Sequence, residues 1–268
     1  MWTMLKFKKP SSTDEVQRKV RQAHASNAKV NAIGAIHSVT PCFVGSDIII
    51  SSEKMDRIVS VDKDNLTATV QPGVSLNQLC GHLKPLGYQP PVILEYGNFL
   101  FGAISGTHAN DTSVSDNAQI SSFVVGVKLV TGHGELLEIS EKENAQYLPA
   151  IRFHFGLFGV VCEVTVRIWP TRSLLFTYET QNLYHFLGDF DNQMMQVRAS
   201  SDQVFALIFQ SVDTILLQHR EFQDVKKCPP HPLTNSLESK AINLYTSLVL
   251  PAAQALSGLH LSLEHTEA

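Results

Sequence analysis

Apolar positions change their period several times in the first 170 residues. After Ser12-Thr13-Asp14-Glu15, the apolar residues Val16, Val20 and Ala23 recur at steps of four and three. That spacing predicts a helix with one inward face. Ser12 is suited to cap it, and Glu15 three residues on can close a capping box. A short strand is expected at 29–33, ended by Gly34, and a buried strand at 47–51 around Ile48-Ile49-Ile50. The β-rich runs 57–62 and 66–71, separated by Lys63-Asp64-Asn65, predict a hairpin. Ser75 opens a helix with Leu76, Leu79 and Leu83 facing inward, and Pro85 and Gly87 end it. A second hairpin is expected from 123–131 and 135–139 around Gly132-His133-Gly134. A short helix over 144–154 then leads into Gly156-Leu157-Phe158-Gly159. The alternating strand 160–168 closes the region at Pro170.

Strands and helices are mixed without regular βαβ alternation, and no Gly-x-Gly-x-x-Gly fingerprint is present. The expected class is therefore α+β rather than doubly wound. The pattern changes near Pro170, giving two expected domains, 1–170 and 171–268. Late in the chain, Ser247 to Leu263 is apolar but broken by Pro251, Gln254, Ser257, Gly258 and His260. It reads as part of a helix pair over 241–263 rather than a membrane span.

Composition narrows the function classes. Of 268 residues, 44% are hydrophobic and 17% charged, with a net charge of −4. Such a chain folds around a core, and it has no overall attraction for nucleic acid. The N-terminus, MWTMLKFKKP, has basic residues without an apolar run after them, so no secretory signal is expected. An intracellular location follows, free or peripheral to a membrane. Cys42, Cys80, Cys162 and Cys228 form no Cys-x-x-Cys pair, and the eleven histidines show no metal-ligand spacing. No metal is expected, and the thiols are expected to be reduced. Without a secretion signal, the sequons at Asn65 and Asn110 are read as chance matches.

The chemistry is concentrated in three glycine-containing loops: Gly34-Ala35-Ile36-His37-Ser38, Gln71-Pro72-Gly73-Val74-Ser75 and Gly102-Ala103-Ile104-Ser105-Gly106-Thr107-His108. Glycine lets backbone approach a ligand closely, and successive amides in such turns hold phosphate oxygens without a lysine. Ser38, Ser105 and Thr107 add hydroxyls. His37 lies inside one loop, where a neutral imidazole is a serviceable nucleophile.

In this order and spacing the loops, with Lys9-Pro10-Ser11-Ser12, Ile120-Ser121-Ser122-Phe123, Leu129-Val130-Thr131-Gly132 and Gly156 to Arg167, resemble the FAD-binding (PCMH-type) domain of the vanillyl-alcohol oxidase superfamily. Within it the similarity is to the sugar-lactone oxidases, the gulonolactone and D-arabinono-1,4-lactone oxidase group. The resemblance implies FAD, held by Gly34, Ala35, Ile36, His37 and Ser38 around the pyrophosphate, with Gly73 and Val74 in a second turn. It implies Gly102, Ser105, Gly106, Thr107 and His108 along the pyrophosphate and ring, Ser121 and Ser122 beside the cofactor, and Val160 and Val161 at the adenine. His37 matches the histidine that many members link covalently to the flavin. Ala35 and Ile36 stand where the family usually has glycines, and Ala109 replaces the glycine after its Thr-His. No cysteine lies between Cys80 and Cys162, which excludes a second, cysteinyl link.

Beyond Pro170, Asp202 to Gln218 resembles the first strands of the family's substrate domain. The family's late His-Trp-Gly-Lys type motif is missing, since Trp2 and Trp169 are the only tryptophans and His231 lies in Cys228-Pro-Pro-His-Pro232. The expectation is a flavin domain followed by a partial cap, with no catalytic base identified. The implied activity is hydride transfer from a hydroxyl-bearing carbon of a sugar lactone or polyol to flavin N5, with oxygen or another acceptor reoxidising the flavin. Two alternatives fit the same residues: a truncated, non-catalytic FAD-binding remnant, and a 2-hydroxy-acid dehydrogenase of the same superfamily.

Overall fold

The structure is a computed structural model that describes residues 6–38, 44–94, 97–114 and 117–223. Cys42, Cys228, His231 and the helix pair expected over 241–263 lie outside these residues. The chain divides into two compact units, Met1–Thr171 and Arg172–Ala268. Among the described residues no helix is long and apolar enough to cross a membrane.

The first unit runs β1 (Lys6–Lys8), α1 (Thr13–Ala25), β2 (Val30–Ile33), β3 (Ile48–Ser51), β4 (Ile58–Asp62), β5 (Thr67–Val70), α2 (Leu76–Leu83), β6 (Tyr88–Gln89), α3 (Phe101–Ile104), β7 (Val124–Val130), β8 (Leu136–Ser140), α4 (Leu148–Ile151), β9 (Val160–Arg167) and β10 (Trp169–Pro170). It holds two main sheets. One is parallel, in the order β1-β3-β2, with Ile48, Ile49 and Ile50 of the central strand paired on both sides. The other is antiparallel, in the order β4-β5-β9-β7-β8. Helices and two separate sheets make the unit α+β, as the mixed pattern predicts.

Helix α1 joins the two sheets. Its inward residues Val16 and Val20 form one apolar cluster with Ile50 and Met55 on the parallel side and Val130, Val160 and Cys162 on the antiparallel side. The Cys162 thiol is fully buried, and burial pushes its pKa up to about 12. Ser12 caps α1 by accepting from Glu15 N–H. The reciprocal half of the expected capping box is displaced by one residue: the Glu15 carboxylate accepts from the backbone N–H of Ser11 at 2.8 Å. Helix α2 has the full box, with Ser75 Oγ and Gln78 Oε1 each accepting from the other's backbone N–H. Its Leu76, Leu79 and Leu83 enter the main core with Val70, Phe101, Ile120, Val127 and Val164. Each such fully buried apolar side chain contributes roughly 1.5–3 kcal/mol.

The helix expected over 144–154 is shorter. Asn144 takes a left-handed φ of 52°, one turn of 3-10 helix follows, and α4 ends at Ile151. Residues 152–159 form a loop instead, held by hydrogen bonds from Phe155 N–H to Gly106 O (2.9 Å) and from Leu157 N–H to His154 O (2.8 Å).

In the second unit β11 (Ser173–Asn182), α5 (Leu183–Gly188), α6 (Phe190–Ser200), β12 (Gln203–Phe209) and β13 (Thr214–Gln223) form an antiparallel sheet, order β11-β13-β12, with two helices. Leu183, Phe186, Val197, Ile215 and Leu217 make its core. Ser201 at the end of α6 shares a 2.7 Å hydrogen bond with His219 Nδ1, fastening the helix end to β13.

Candidate cofactor site

The three parallel strands run toward one end, and the residues just past that end line a cavity: Pro10 after β1, Gly34 after β2 and Ser52 after β3. Ligands in sheets of parallel strands are commonly taken up beyond the carboxyl ends. The cavity measures about 790 Å³, within the roughly 300–1,000 Å³ of small-molecule and cofactor sites. Its other walls come from α3 with the segment after it and from the loop before β9. Among the described lining residues there is no Asp, Glu, Lys or Arg. Polar groups there are backbone amides, Ser38, Ser52, Thr107, Asn31 and the imidazoles of His37, His108 and His154.

Two of the three glycine loops meet in this cavity. Gly34, Ala35, Ile36, His37 and Ser38 line it, as do Gly102, Gly106, Thr107 and His108, with Val160 and Val161 from β9. The other expected residues lie behind the wall. Val74 is fully buried in the core, and Gly73 packs under the Ser52–Met55 turn, so that Pro72 takes the cavity position of that loop. Ser105 and Ser121 are buried with hydroxyls that have no hydrogen-bond partner, and Ser122 sits in the turn before β7.

His37 is exposed at the rim, with its ring edge-on to Phe99 at a centroid distance of 5.0 Å. Next to it, Ile36 has φ 57° and is 56% exposed. The loop thus keeps a left-handed, glycine-like backbone although a β-branched residue occupies it, at a cost of roughly 1–2 kcal/mol. Ile36→Gly is expected to stabilise the protein by about 1 kcal/mol after glycine's larger unfolded-state entropy is subtracted. Thermal melts of the apo-protein should rise by roughly 2–4 °C. An unchanged or lower melting temperature would show that the loop bears no such strain.

His154 escaped the sequence reading. It stands two residues before the Gly156–Gly159 loop, in a stretch expected to be helical. In the structure its ring is buried, at 3% exposure, in the cavity wall. Nδ1 accepts from Gly156 N–H at 2.9 Å, and Nε2 has no partner. Burial lowers its pKa from the usual 6.5, so the ring is held neutral. The only signal in the sequence was its closeness to that glycine loop.

A cavity whose described lining is uncharged and rich in glycine, with orphaned polar atoms in and behind its wall, fits a long cofactor that carries an apolar ring system and a phosphate bridge. The comparisons agree. A family model described as FAD binding domain matches residues 5–140. The chain is 27% identical over 187 residues to L-gulonolactone oxidase of Scyliorhinus torazame, covering 70% of this chain and 42% of that protein. It is 27% identical over 189 residues to D-arabinono-1,4-lactone oxidase of Candida glabrata, covering 68% and 35% respectively. It is 25% identical over 225 residues to L-gulono-1,4-lactone dehydrogenase of Mycobacterium tuberculosis, covering 82% and 50%. The chain therefore spans half or less of the length of these curated relatives.

Proposed function

Because the chain belongs to the FAD binding domain family, we propose that it is an FAD-dependent oxidoreductase acting on a hydroxyl of a sugar lactone or related polyol. The observation that carries this reading is the cavity at the carboxyl ends of the parallel strands, with no Asp, Glu, Lys or Arg among its described lining residues and walled by the Gly34–Ser38 and Gly102–His108 segments. The names of the relatives supply the substrate class: two lactone oxidases and a lactone dehydrogenase. The first unit carries the cofactor, and residues 172–268 are part of a substrate domain.

The chemistry FAD would supply when bound is two-electron acceptance, a hydride from the hydroxyl-bearing carbon as the hydroxyl loses its proton, with the electrons going on to oxygen or another acceptor. The chain's own part is to bind and orient. Backbone amides of the Gly34–Ser38 loop and of Thr107 and His108 would hold the phosphates, since those of 102–106 already donate within the fold, with Ser38 and Thr107 adding hydroxyl donors. Val160 and Val161 offer an apolar wall for the adenine. His37, exposed at the rim, is the attachment point for a covalent link.

The test is an absorbance spectrum of the purified full chain before and after acid precipitation. Flavin bands staying with the pellet are expected, and His37→Ala should move them to the supernatant. Anaerobic addition of L-gulono-1,4-lactone or D-arabinono-1,4-lactone should bleach the bands. Bound flavin that no lactone or polyol bleaches would leave a non-catalytic FAD-binding protein. A folded chain that takes up no flavin would sink the reading altogether.

A further inference from the structure

We propose that Phe155 is the platform on which the adenine ring of the bound dinucleotide stacks. This rests on the reading of the cavity as the FAD site. Among the described residues, left-handed φ values outside glycine fall at Asn27, Ile36, Leu66, Asn144, Phe155 and Asp213. Asparagine and aspartate visit that region readily, whereas a bulky phenylalanine there is strained. Phe155 has φ 47°, and Gly156 after it has φ 80°. Three hydrogen bonds hold the twist. Phe155 N–H donates to Gly106 O at 2.9 Å, Gly156 N–H to His154 Nδ1 at 2.9 Å, and Leu157 N–H to His154 O at 2.8 Å.

Core burial does not offset this strain, because the Phe155 side of the turn is open: the residue is 55% exposed and lines the cavity. Strain of this kind, enforced by the surrounding bonds, concentrates at ligand clamps. The ring reaches the cavity as the fold stands, so no segment has to move for a ligand to meet it. It is propped by the His108 imidazole, at a centroid distance of 5.8 Å and a tilt of 48°, within the range of aromatic pairs.

The adenine is the ring that suits this wall. The proposed attachment at His37 puts the flavin at the 34–38 segment, where the neighbouring aromatic ring is Phe99. The nucleotide end of the same molecule is left the wall before and at the start of β9, where Phe155, Leu157, Val160 and Val161 line the cavity. These side chains are apolar and uncharged. A neutral purine needs only a π-face and an apolar surround to stack.

The test uses the full chain prepared without flavin, titrated with ADP and, separately, with FMN by calorimetry. Phe155→Gly removes the ring and suits the left-handed backbone, so the melting temperature of the apo-protein should stay within about 3 °C of the parent. The same variant should weaken ADP by roughly ten- to a hundred-fold, the worth of one base stacked on an aromatic ring. Phe155→Tyr keeps the π-face and should hold ADP within about threefold of the parent. FMN, which lacks the adenine, should bind all three proteins alike.

A readout that needs no folded loss-of-ring variant is the proton spectrum of the parent. The Phe155 ring protons, identified by their change in Phe155→Tyr, should move upfield when ADP is added and stay in place with FMN. Parental ADP affinity in Phe155→Gly, an equal loss in Phe155→Tyr, or ring protons that ignore ADP would overturn the proposal. A steep fall in the apo melting temperature of Phe155→Gly would also overturn it, by showing that the ring serves the fold. A loss for FMN but not ADP would overturn the adenine assignment. If the parent binds neither probe, the cofactor reading of the cavity falls and takes the proposal with it.

Discussion

Gly106→Ala is expected to lower the stability of the apo-protein by about 2–3 kcal/mol, or roughly 5–10 °C in Tm, and to weaken FAD more than tenfold. The added methyl would meet the His154 ring face-on, overlapping Nε2 and Cδ2. The far end of a long flexible side chain could swing away. This ring is buried and anchored by its Nδ1 bond to Gly156 N–H, so the backbone must move instead. Moving it strains the Phe155 N–H to Gly106 O bond that joins the two segments, and both segments line the cavity. The damage to fold and to cofactor binding therefore has one origin. A double variant, Gly106→Ala with His154→Ala, removes the obstacle. It should recover part of the lost stability, with a coupling of about 1–2 kcal/mol. Differential scanning fluorimetry with and without FAD reads both effects. Strictly additive losses would show that the methyl and the ring do not meet.

Gly73→Ala should do more harm to the fold and none directly to the site, with an expected loss of about 3 kcal/mol or more. Its methyl would overlap the carbonyl oxygen of Ser52 and lie 2.7 Å from that of Met55, both backbone atoms. The Gly73 N–H already donates to Met55 O at 2.7 Å, so this turn is clamped against the end of β3. The outcome to look for is poor soluble yield or a large fall in the urea midpoint. Any folded fraction should lose FAD affinity only as far as Ser52 and Met55, which line the cavity, are displaced, because Gly73 itself is not among the described lining residues. A soluble Gly73→Ala protein that melts normally but has lost FAD would reverse this assignment and return Gly73 to the cofactor.

The contrast between these two glycines shows what the amino-acid pattern conveys. Period and capping residues located α1 and α2, because Val16, Val20 and Ala23, and Leu76, Leu79 and Leu83, report directly on one buried face. Strand β1 carried no such signal. Lys6-Phe7-Lys8 is short and mostly exposed, and it is a strand because Ile48 to Ile50 offers it a parallel edge. The stretch 144–154 has apolar spacing suited to a helix, but tertiary bonds of the 152–159 loop to Gly106 end it early. The glycine-rich stretches were visible and the family resemblance gave them an order, but Gly102, Ala103 and Ile104 of the third belong to helix α3 rather than to a loop. Which members of each loop face the cavity depends on how segments 34–38, 102–109 and 154–161 meet. Serines 105 and 121, Gly73 and Val74 turned inward, and His154 came forward.

The packing of α1 between the sheets has a chemical consequence. With its pKa pushed up to about 12, the Cys162 thiol carries on the order of one thiolate in 10⁵ at neutral pH, and the thiolate is the form that oxidants attack. Were oxygen the acceptor in the proposed reaction, peroxide would form within the same protein. The joint that holds the two sheets together is therefore inert toward the by-product of the proposed turnover.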